Sequence, residues 1–276
     1  METTRVDWIH TIGIVGGLGP LAHIELERLL LAETRDRLGA ALKDQDYPSW
    51  ILVSMTETPD RTRALIGEGA SPLPCLEQAV ARLAASTPGP GASFALIACG
   101  TAHAYLDELR ARSSIPIFDM IEEALVVAAQ SSRVIGLLAT TGTLRARLYQ
   151  QRAERLDPAL QVITPLDLPG GEELQERLVM TPIYGSLQDG ERAGGGIKSG
   201  SPTSGPKQAL ARATRLLGQT ADLVICGCTE IPLVLGRDAI DGIPLLDPMQ
   251  VMAHAAISLA LGERPLPQGW LGPAEE

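Results

Sequence analysis

Hydrophobic positions along the chain fall into two alternating kinds of segment. Short unbroken apolar runs, the pattern of strands buried on both faces, occur at 11–15, 50–54, 94–98, 134–138, 161–164 and 223–226. Between them lie longer stretches whose apolar residues recur at helical spacing, near 21–38, 72–85, 102–111, 121–130, 144–156, 207–218 and 248–261. Strand alternating with helix predicts an α/β fold, each sheet mostly parallel and flanked by helices.

The two halves of the pattern echo each other. Ile12-Gly13-Ile14-Val15-Gly16-Gly17-Leu18-Gly19 parallels Ile135-Gly136-Leu137-Leu138-Ala139-Thr140-Thr141-Gly142 at an offset of 123. The run ending in Cys99 parallels the run ending in Cys228 at an offset of 129, and each cysteine is followed by a threonine, Thr101 or Thr229. A duplicated unit is the simplest source of both offsets. Two similar, pseudo-symmetric α/β domains are therefore expected, 9–115 plus 240–276 and 116–239, with the active site in the cleft between them where strand C-terminal ends converge. One segment breaks the rhythm. Residues 185–206 are rich in glycine and serine and read as a loop, either a solvated linker or a cover for a site, with Lys198 in its middle favouring the cover.

Composition narrows the classes. The formal net charge of -10 disfavours a binder of nucleic-acid phosphates, which needs clustered Lys and Arg. No apolar run approaches bilayer length and no signal-peptide core follows Met1, so a cytoplasmic location is expected. Four cysteines in 276 residues are too few for a disulfide scaffold, which leaves each as core filler, metal ligand or reactive thiol.

Cys99 and Cys228 each follow a buried run and precede an expected helix start, where unpaired N–H groups and the helix dipole would favour a thiolate. A single such cysteine is ordinary core; two at matching places point to chemistry. Inversion of a stereocentre needs a base on one face and an acid on the other, and a thiol/thiolate pair can exchange those roles. Because a carbon next to a carboxylate is only weakly acidic, donors must stabilise the developing charge, and Thr101, Thr140, Thr141, Thr143 and Thr229 stand in strand-end loops where they could supply them.

Five motifs in order, Ile12 to Pro20, Pro59-Asp60-Arg61-Thr62, Cys99-Gly100-Thr101-Ala102-His103, Leu138 to Thr143 and Gly227-Cys228-Thr229-Glu230-Ile231, together resemble the aspartate/glutamate racemase family, its aspartate racemase branch in particular. The resemblance implies two similar α/β domains, a racemase or epimerase independent of pyridoxal phosphate and of metal, no cofactor, and commonly a homodimer. It implies Cys99 and Cys228 as the catalytic pair and places Arg61 and Lys198 where the family binds a substrate side-chain carboxylate, with aspartate or glutamate the first candidates. A guanidinium suits that role bidentately and a loop lysine can close over it. Gly100 stands where the family usually carries asparagine in Cys-Asn-Thr, which alters the substrate-binding surface beside Cys99, and the loop before Gly196 is longer than expected.

Other classes compete less well. Gly17-Leu18-Gly19-Pro20-Leu21-Ala22 after a strand fits the alanine form of a dinucleotide fingerprint, but the acid expected about 20 residues on is missing. Zinc held by Cys99, His103, Cys226 and Cys228 would lack a second Cys-x-x-Cys. Within the superfamily, a decarboxylase or cis-trans isomerase of another small carboxylate is the alternative; such relatives commonly use one essential cysteine, so the presence of two favours two-base proton transfer.

Overall fold

Strand β1 (Ile12–Gly16) is buried along its whole length and pairs in parallel with β2 (Trp50–Ser54) on one side and β3 (Phe94–Ile97) on the other. A computed structural model describes residues 6–39, 41–85, 90–189, 191–200 and 204–267. By chain contacts they form two units, the first made of Met1–Pro59, Ser71–Met120 and Met249–Glu276, the second of Asp60–Ala70 and Ile121–Pro248. Segments 60–70 and 240–248, which the sequence assigns to the first domain, thus pack in the second unit.

In the first unit the period-2 geometry of strands divides the core in two. Ile12, Ile14, Phe94 and Leu96 face one layer with Leu26, Leu30, Met252 and Ile257, while Val15, Ala95 and Ile97 face the other with Leu76, Val80 and Leu83. The flanking helices are Pro20–Leu38, Leu73–Ala84 and Pro248–Ala260. Gly17 (φ +82°) ends β1 in a left-handed turn, and a Cβ there would lie 2.5 Å from Met55 N. Its N–H donates to His23 Nδ1 at 3.1 Å, so this turn is closed against its own chain.

The second unit contains β4 (Val134–Leu138), β5 (Gln161–Ile163), β6 (Leu187–Gln188), β7 (Glu191–Arg192), β8 (Leu223–Cys226), β9 (Ala239–Ile240) and β10 (Ile243–Leu246). Its main sheet runs β5-β4-β8-β10-β9. The first three repeat the order β2-β1-β3 of the first unit, all parallel, so the repeat seen in sequence recurs in topology. Leu138, Val224 and Cys226 pack against Val179, Ile183, Leu210 and Leu217.

Several elements differ from the expected ones. The helix expected over 144–156 is two, Thr141–Arg145 and Leu148–Leu156, because Arg147 adopts a left-handed conformation (φ +52°) between them. Pro244 obscures β10, which pairs with β8 only through Leu245 and Leu246 and accepts the antiparallel edge β9. The helical stretch Gly171–Gln175, Glu176–Met180 and Thr181–Tyr184 is missed as well, for it opens on Gly170-Gly171 and carries Pro182. A π-type turn over Glu176–Met180 precedes the proline, whose missing N–H would break a regular helix. Residues 185–206 are not a featureless loop: β6 and β7 form a hairpin, and Ile197–Ser199 a 3-10 turn. Positions 190 and 201–203 of that segment lie outside the described residues.

Candidate active site

Cys99 stands two residues beyond β3 and is 6% exposed. Ala98 N donates to Val15 O at 3.1 Å, which extends the sheet up to the cysteine. Gly100 leads into a 3-10 turn, Thr101–Tyr105, and only then into the α-helix Leu106–Arg112. The expected α-helix start directly after Cys99 is therefore absent, and the helix-dipole contribution there is smaller than the sequence suggests. Thr101 is buried beside it. His103, 2% exposed, clips the turn: Met120 N donates to Nε2 at 3.2 Å, and Nδ1 lies 3.0 Å from Cys99 O. A backbone N–H can only donate, so Nε2 carries no proton; the proton sits on Nδ1 and points at the Cys99 carbonyl.

Cys228 stands two residues beyond β8 and is also 6% exposed. Gly227 allows the approach: a Cβ there would lie 2.7 Å from Leu137 Cδ1 and 3.2 Å from the Tyr149 hydroxyl. The chain turns directly after the cysteine, Ile231 N donating to Cys228 O at 3.0 Å, and the next helix, Pro232–Leu235, has only four residues. Here too no long helix starts at the thiol. The Cys228 Sγ–H donates to Glu230 Oε2 at 3.0 Å, the Thr229 hydroxyl donates to the same oxygen at 3.2 Å, and Lys198 Nζ reaches Glu230 Oε1 at 2.5 Å. Glu230 is 2% exposed.

These contacts fix the charges. Burial would push the Glu230 carboxyl up, but the Lys198 ammonium and hydrogen bonds from Cys228, Lys198 and Thr229 outweigh it, and the group lies below its ordinary value. Burial and then the Glu230 charge raise the Cys228 thiol well above its ordinary value despite the nearby lysine. The sequence expectation that this thiol's position lowers its pKa is thus overturned: buried beside a carboxylate and without a long helix ahead of it, it keeps its proton. Cys226, 1% exposed in the sheet core, is pushed up by burial and by Asp247. Among the described residues, no group of three His, Cys, Asp or Glu is placed to hold a metal ion.

The segment carrying Arg61 packs against the loop after β4. Asp60 caps the short helix Arg61–Leu65 by accepting from Arg63 N at 2.8 Å, and a Cβ on Gly142 would lie 2.8 Å from Thr62 Cα. Arg61 is buried, 8% exposed, where the sequence without its motif would read a surface charge. Thr62 Oγ1 donates to Thr140 Oγ1 at 3.0 Å, which lies 3.2 Å from Thr143 Oγ1, so three hydroxyls form one buried chain. Gln175 Nε2 donates to Ala139 O at 2.9 Å and lies 3.4 Å from Thr141 Oγ1. The Tyr184 hydroxyl donates to Thr62 Oγ1 at 3.4 Å, and its ring has Lys198 Nζ 5.5 Å from the centroid. Burial, helped by the charge of Asp60, outweighs the opposing pull of Lys198 and pushes the Tyr184 phenol up, so it stays a donor.

The sequence matches the Asp/Glu/hydantoin racemase family over residues 15–256. The chain belongs to that family. It is 31% identical to a glutamate racemase of Corynebacterium kroppenstedtii over 149 residues, 53% of this chain and 44% of that enzyme, so it spans less than half of that relative's length. A broad specificity amino-acid racemase, RacX of Bacillus subtilis, is 22% identical over 91% of this chain and 98% of its own. Among solved structures, the aspartate racemase of Picrophilus torridus has the same fold, with a TM-score of 0.69 at 21% identity over 95% of this chain and 97% of its own. A structure titled as a putative Asp/Glu racemase from Yersinia pestis gives 0.68 at 24% identity, covering 92% and 100%.

Within this racemase-family chain, the second unit gathers Cys228, Thr229, Lys198, Arg61, Thr140, Thr141 and Thr143, whereas Cys99, Gly100 and Thr101 stand in the first. Lys198, which the sequence resemblance places over a substrate carboxylate, pairs with the Glu230 carboxylate. The sequence motifs alone give no role to Glu230, Tyr184, Thr62 or Gln175. Glu230 and Thr62 were legible as members of quoted motifs; Tyr184 and Gln175 lie in the helical stretch that glycine and proline concealed.

Proposed function

We propose that this chain is a cofactor-independent amino-acid racemase or epimerase in which Cys99 and Cys228 move the α-proton by two-base transfer. One observation carries the reading: in each unit the last strand of the repeated parallel order, β3 in β2-β1-β3 and β8 in β5-β4-β8, ends two residues before a cysteine that is 6% exposed. Core-filling thiols have no reason to recur at the same topological station with the same slight exposure.

Cys228 begins as the acid, because Glu230 and burial keep its proton on sulfur. The mechanism then gives Cys99 the base role for the first half: its thiolate removes the α-proton, and the Cys228 thiol delivers a proton to the opposite face of the carbanion. The product is the other enantiomer, with the charges of the two sulfurs exchanged. The reverse direction uses them in opposite roles. Thr140, Thr141, Thr143, Thr101 and Thr229 are the proposed donors near the substrate, although the Thr229 hydroxyl is already donated to Glu230. Aspartate and glutamate are the first substrates to assay, since Arg61 and Lys198 occupy the positions that the sequence resemblance gives to carboxylate binding. A cytoplasmic location and a homodimer belong to the same proposal.

The test follows α-proton exchange by proton NMR in heavy water, with chiral analysis, on the wild type and on Cys99→Ser and Cys228→Ser. Exchange with inversion in the wild type and loss of inversion in both variants is expected. Near-wild-type turnover in either variant ends the two-thiol assignment. A folded, reduced protein that inverts no amino acid but decarboxylates or isomerises another small carboxylate would replace this reading with the superfamily alternative.

A further inference from the structure

The turn that carries Cys99 is clipped by a side chain that no step of the proposed reaction uses. His103 is 2% exposed and stands inside the 3-10 turn Thr101–Tyr105 that follows the cysteine. Its Nδ1–H donates to Cys99 O at 3.0 Å, and its Nε2 accepts at 3.2 Å from Met120 N, which opens the helix Met120–Ala129. One ring thus spans two pieces of chain that leave the same side of the sheet. The cysteine follows β3, and the segment 116–118 leading to Met120 lies beside β3, with Ala95 N donating to Pro116 O at 2.8 Å and Phe118 N to Ala95 O at 2.9 Å.

Other bonds fasten this corner of the fold as well. Arg110 donates through Nε and Nη2 to Ile117 O at 3.1 and 2.8 Å, which ties the helix Leu106–Arg112 to the same segment without the imidazole. What His103 adds is a hold on the Cys99 carbonyl. Cys99 N donates to Ile97 O at 2.8 Å, so the peptide before the cysteine is held through its N–H and the peptide after it through its carbonyl. Peptide groups are planar, and fixing the two that flank Cα fixes the direction in which the Cβ and its sulfur leave the chain. The second hold matters because the next residue is Gly100, which restrains the backbone least.

A proton passes between sulfur and carbon only over a short, aligned path, and a displacement of about 1 Å can cost about a hundredfold in rate. We infer that His103 is a positioning residue that aims the Cys99 sulfur at the substrate α-carbon through its Nδ1 bond to the Cys99 carbonyl, while its Nε2 bond to Met120 N serves the fold. The inference rests on the racemase reading and gives that reaction a residue beyond its two thiols.

Substitution separates the two bonds. In His103→Asn the amide nitrogen falls close to the place of Nδ1 and still donates to Cys99 O, leaving Met120 N without this acceptor. In His103→Gln the amide oxygen reaches the place of Nε2 and accepts from Met120 N, leaving Cys99 O without this donor. His103→Ala removes both. Inversion is measured on whichever of aspartate, glutamate, alanine, serine and lysine the wild type turns over fastest. There kcat is expected to stay within about threefold of wild type in the Asn variant and to fall about thirtyfold in the Gln and Ala variants, with KM little changed. Urea midpoints are expected in another order, Asn below Gln, because an orphaned N–H is tolerated less well than an under-satisfied carbonyl. A merely structural histidine would make kcat follow stability, with Asn worse than Gln, and that result would overturn the inference while leaving the racemase intact. Alkylation of Cys99 by iodoacetamide, followed by peptide mass spectrometry, reads the positioning without turnover and is expected to be faster in the Gln and Ala variants than in Asn or wild type. Inversion of none of the five amino acids by folded, reduced wild type would overturn the racemase reading. The alkylation order would then decide the hold on Cys99 by itself, and equal rates in the Asn and Gln variants would overturn it.

Discussion

Cys228 keeps its proton because of burial and then because of the carboxylate two residues on, and Glu230 keeps its charge because of Lys198. Removing one member of such a buried set leaves the others uncompensated. Glu230→Gln takes away the negative charge beside the sulfur and leaves the ammonium, so the thiolate becomes easier to form. Titration followed by ultraviolet thiolate absorbance should show one cysteine ionising at lower pH than in the wild type. An unchanged titration would mean that burial alone sets the thiol. Unfolding in urea should show a loss of about 2–3 kcal/mol for the same variant, somewhat below the usual cost of breaking a fully buried pair because Lys198 retains partial contact with water. Gly227 precedes Cys228 in its motif. The structure supplies the reason: an alanine methyl would press on Leu137 and Ala139, which should cost about 1–3 kcal/mol.

At the scale of elements, the strands were read well, since an apolar run of four or five residues buried on both faces needs no distant information to be recognised. The hairpin β6–β7 was not. Apart from Leu187 and Ala193 its residues are polar or glycine, both short strands are largely exposed, and what stabilises it is the Glu176–Arg192 pair sixteen residues apart plus the close meeting of Gly185 and Gly194. Gly185→Ala should therefore unpin the hairpin, since any Cβ there collides with backbone. Gly194→Ala meets nothing within 4 Å and should cost only the roughly 1 kcal/mol of a left-handed non-glycine residue. Limited proteolysis distinguishes them: cleavage near 187–192 should accelerate strongly in the first variant and little in the second. Equal protection in both would show that the meeting of these glycines does not hold the hairpin.

At the scale of the whole molecule, titration couples the fold to acidity in two stages. His23 accepts from Gly17 N through an unprotonated Nδ1, and burial holds its pKa below the ordinary 6.5 even though Glu27 opposes the shift. A depressed histidine binds more protons unfolded than folded, so its contribution is complete above about pH 6.5 and is lost as the pH falls toward its folded value. Glu230 and Glu176 are likewise depressed, Glu176 chiefly by its hydrogen bond to Arg192, and their contributions are complete above the ordinary carboxylate range and lost on further acidification. Urea midpoints should accordingly begin to fall below about pH 6.5 and fall again below about pH 4. His23→Gln should remove the first decline; a first decline that survives it would assign the loss to another group.

The amino-acid sequence by itself determined the α/β class, the recurrence of a strand ending in cysteine, and the motifs that carry Cys99, Cys228, Arg61 and the threonines. All of these are local: each depends on the period of side chains along a strand or helix, or on neighbours within a few residues. Tertiary structure alone decided that segment 60–70 packs with the second unit, that Lys198 is bound to Glu230, and that Cys228 is a protonated thiol. Those facts depend on desolvation and on charges brought together from Asp60, Lys198 and Glu230, residues up to 170 positions apart, and neither burial nor such a meeting is written in the order of the residues.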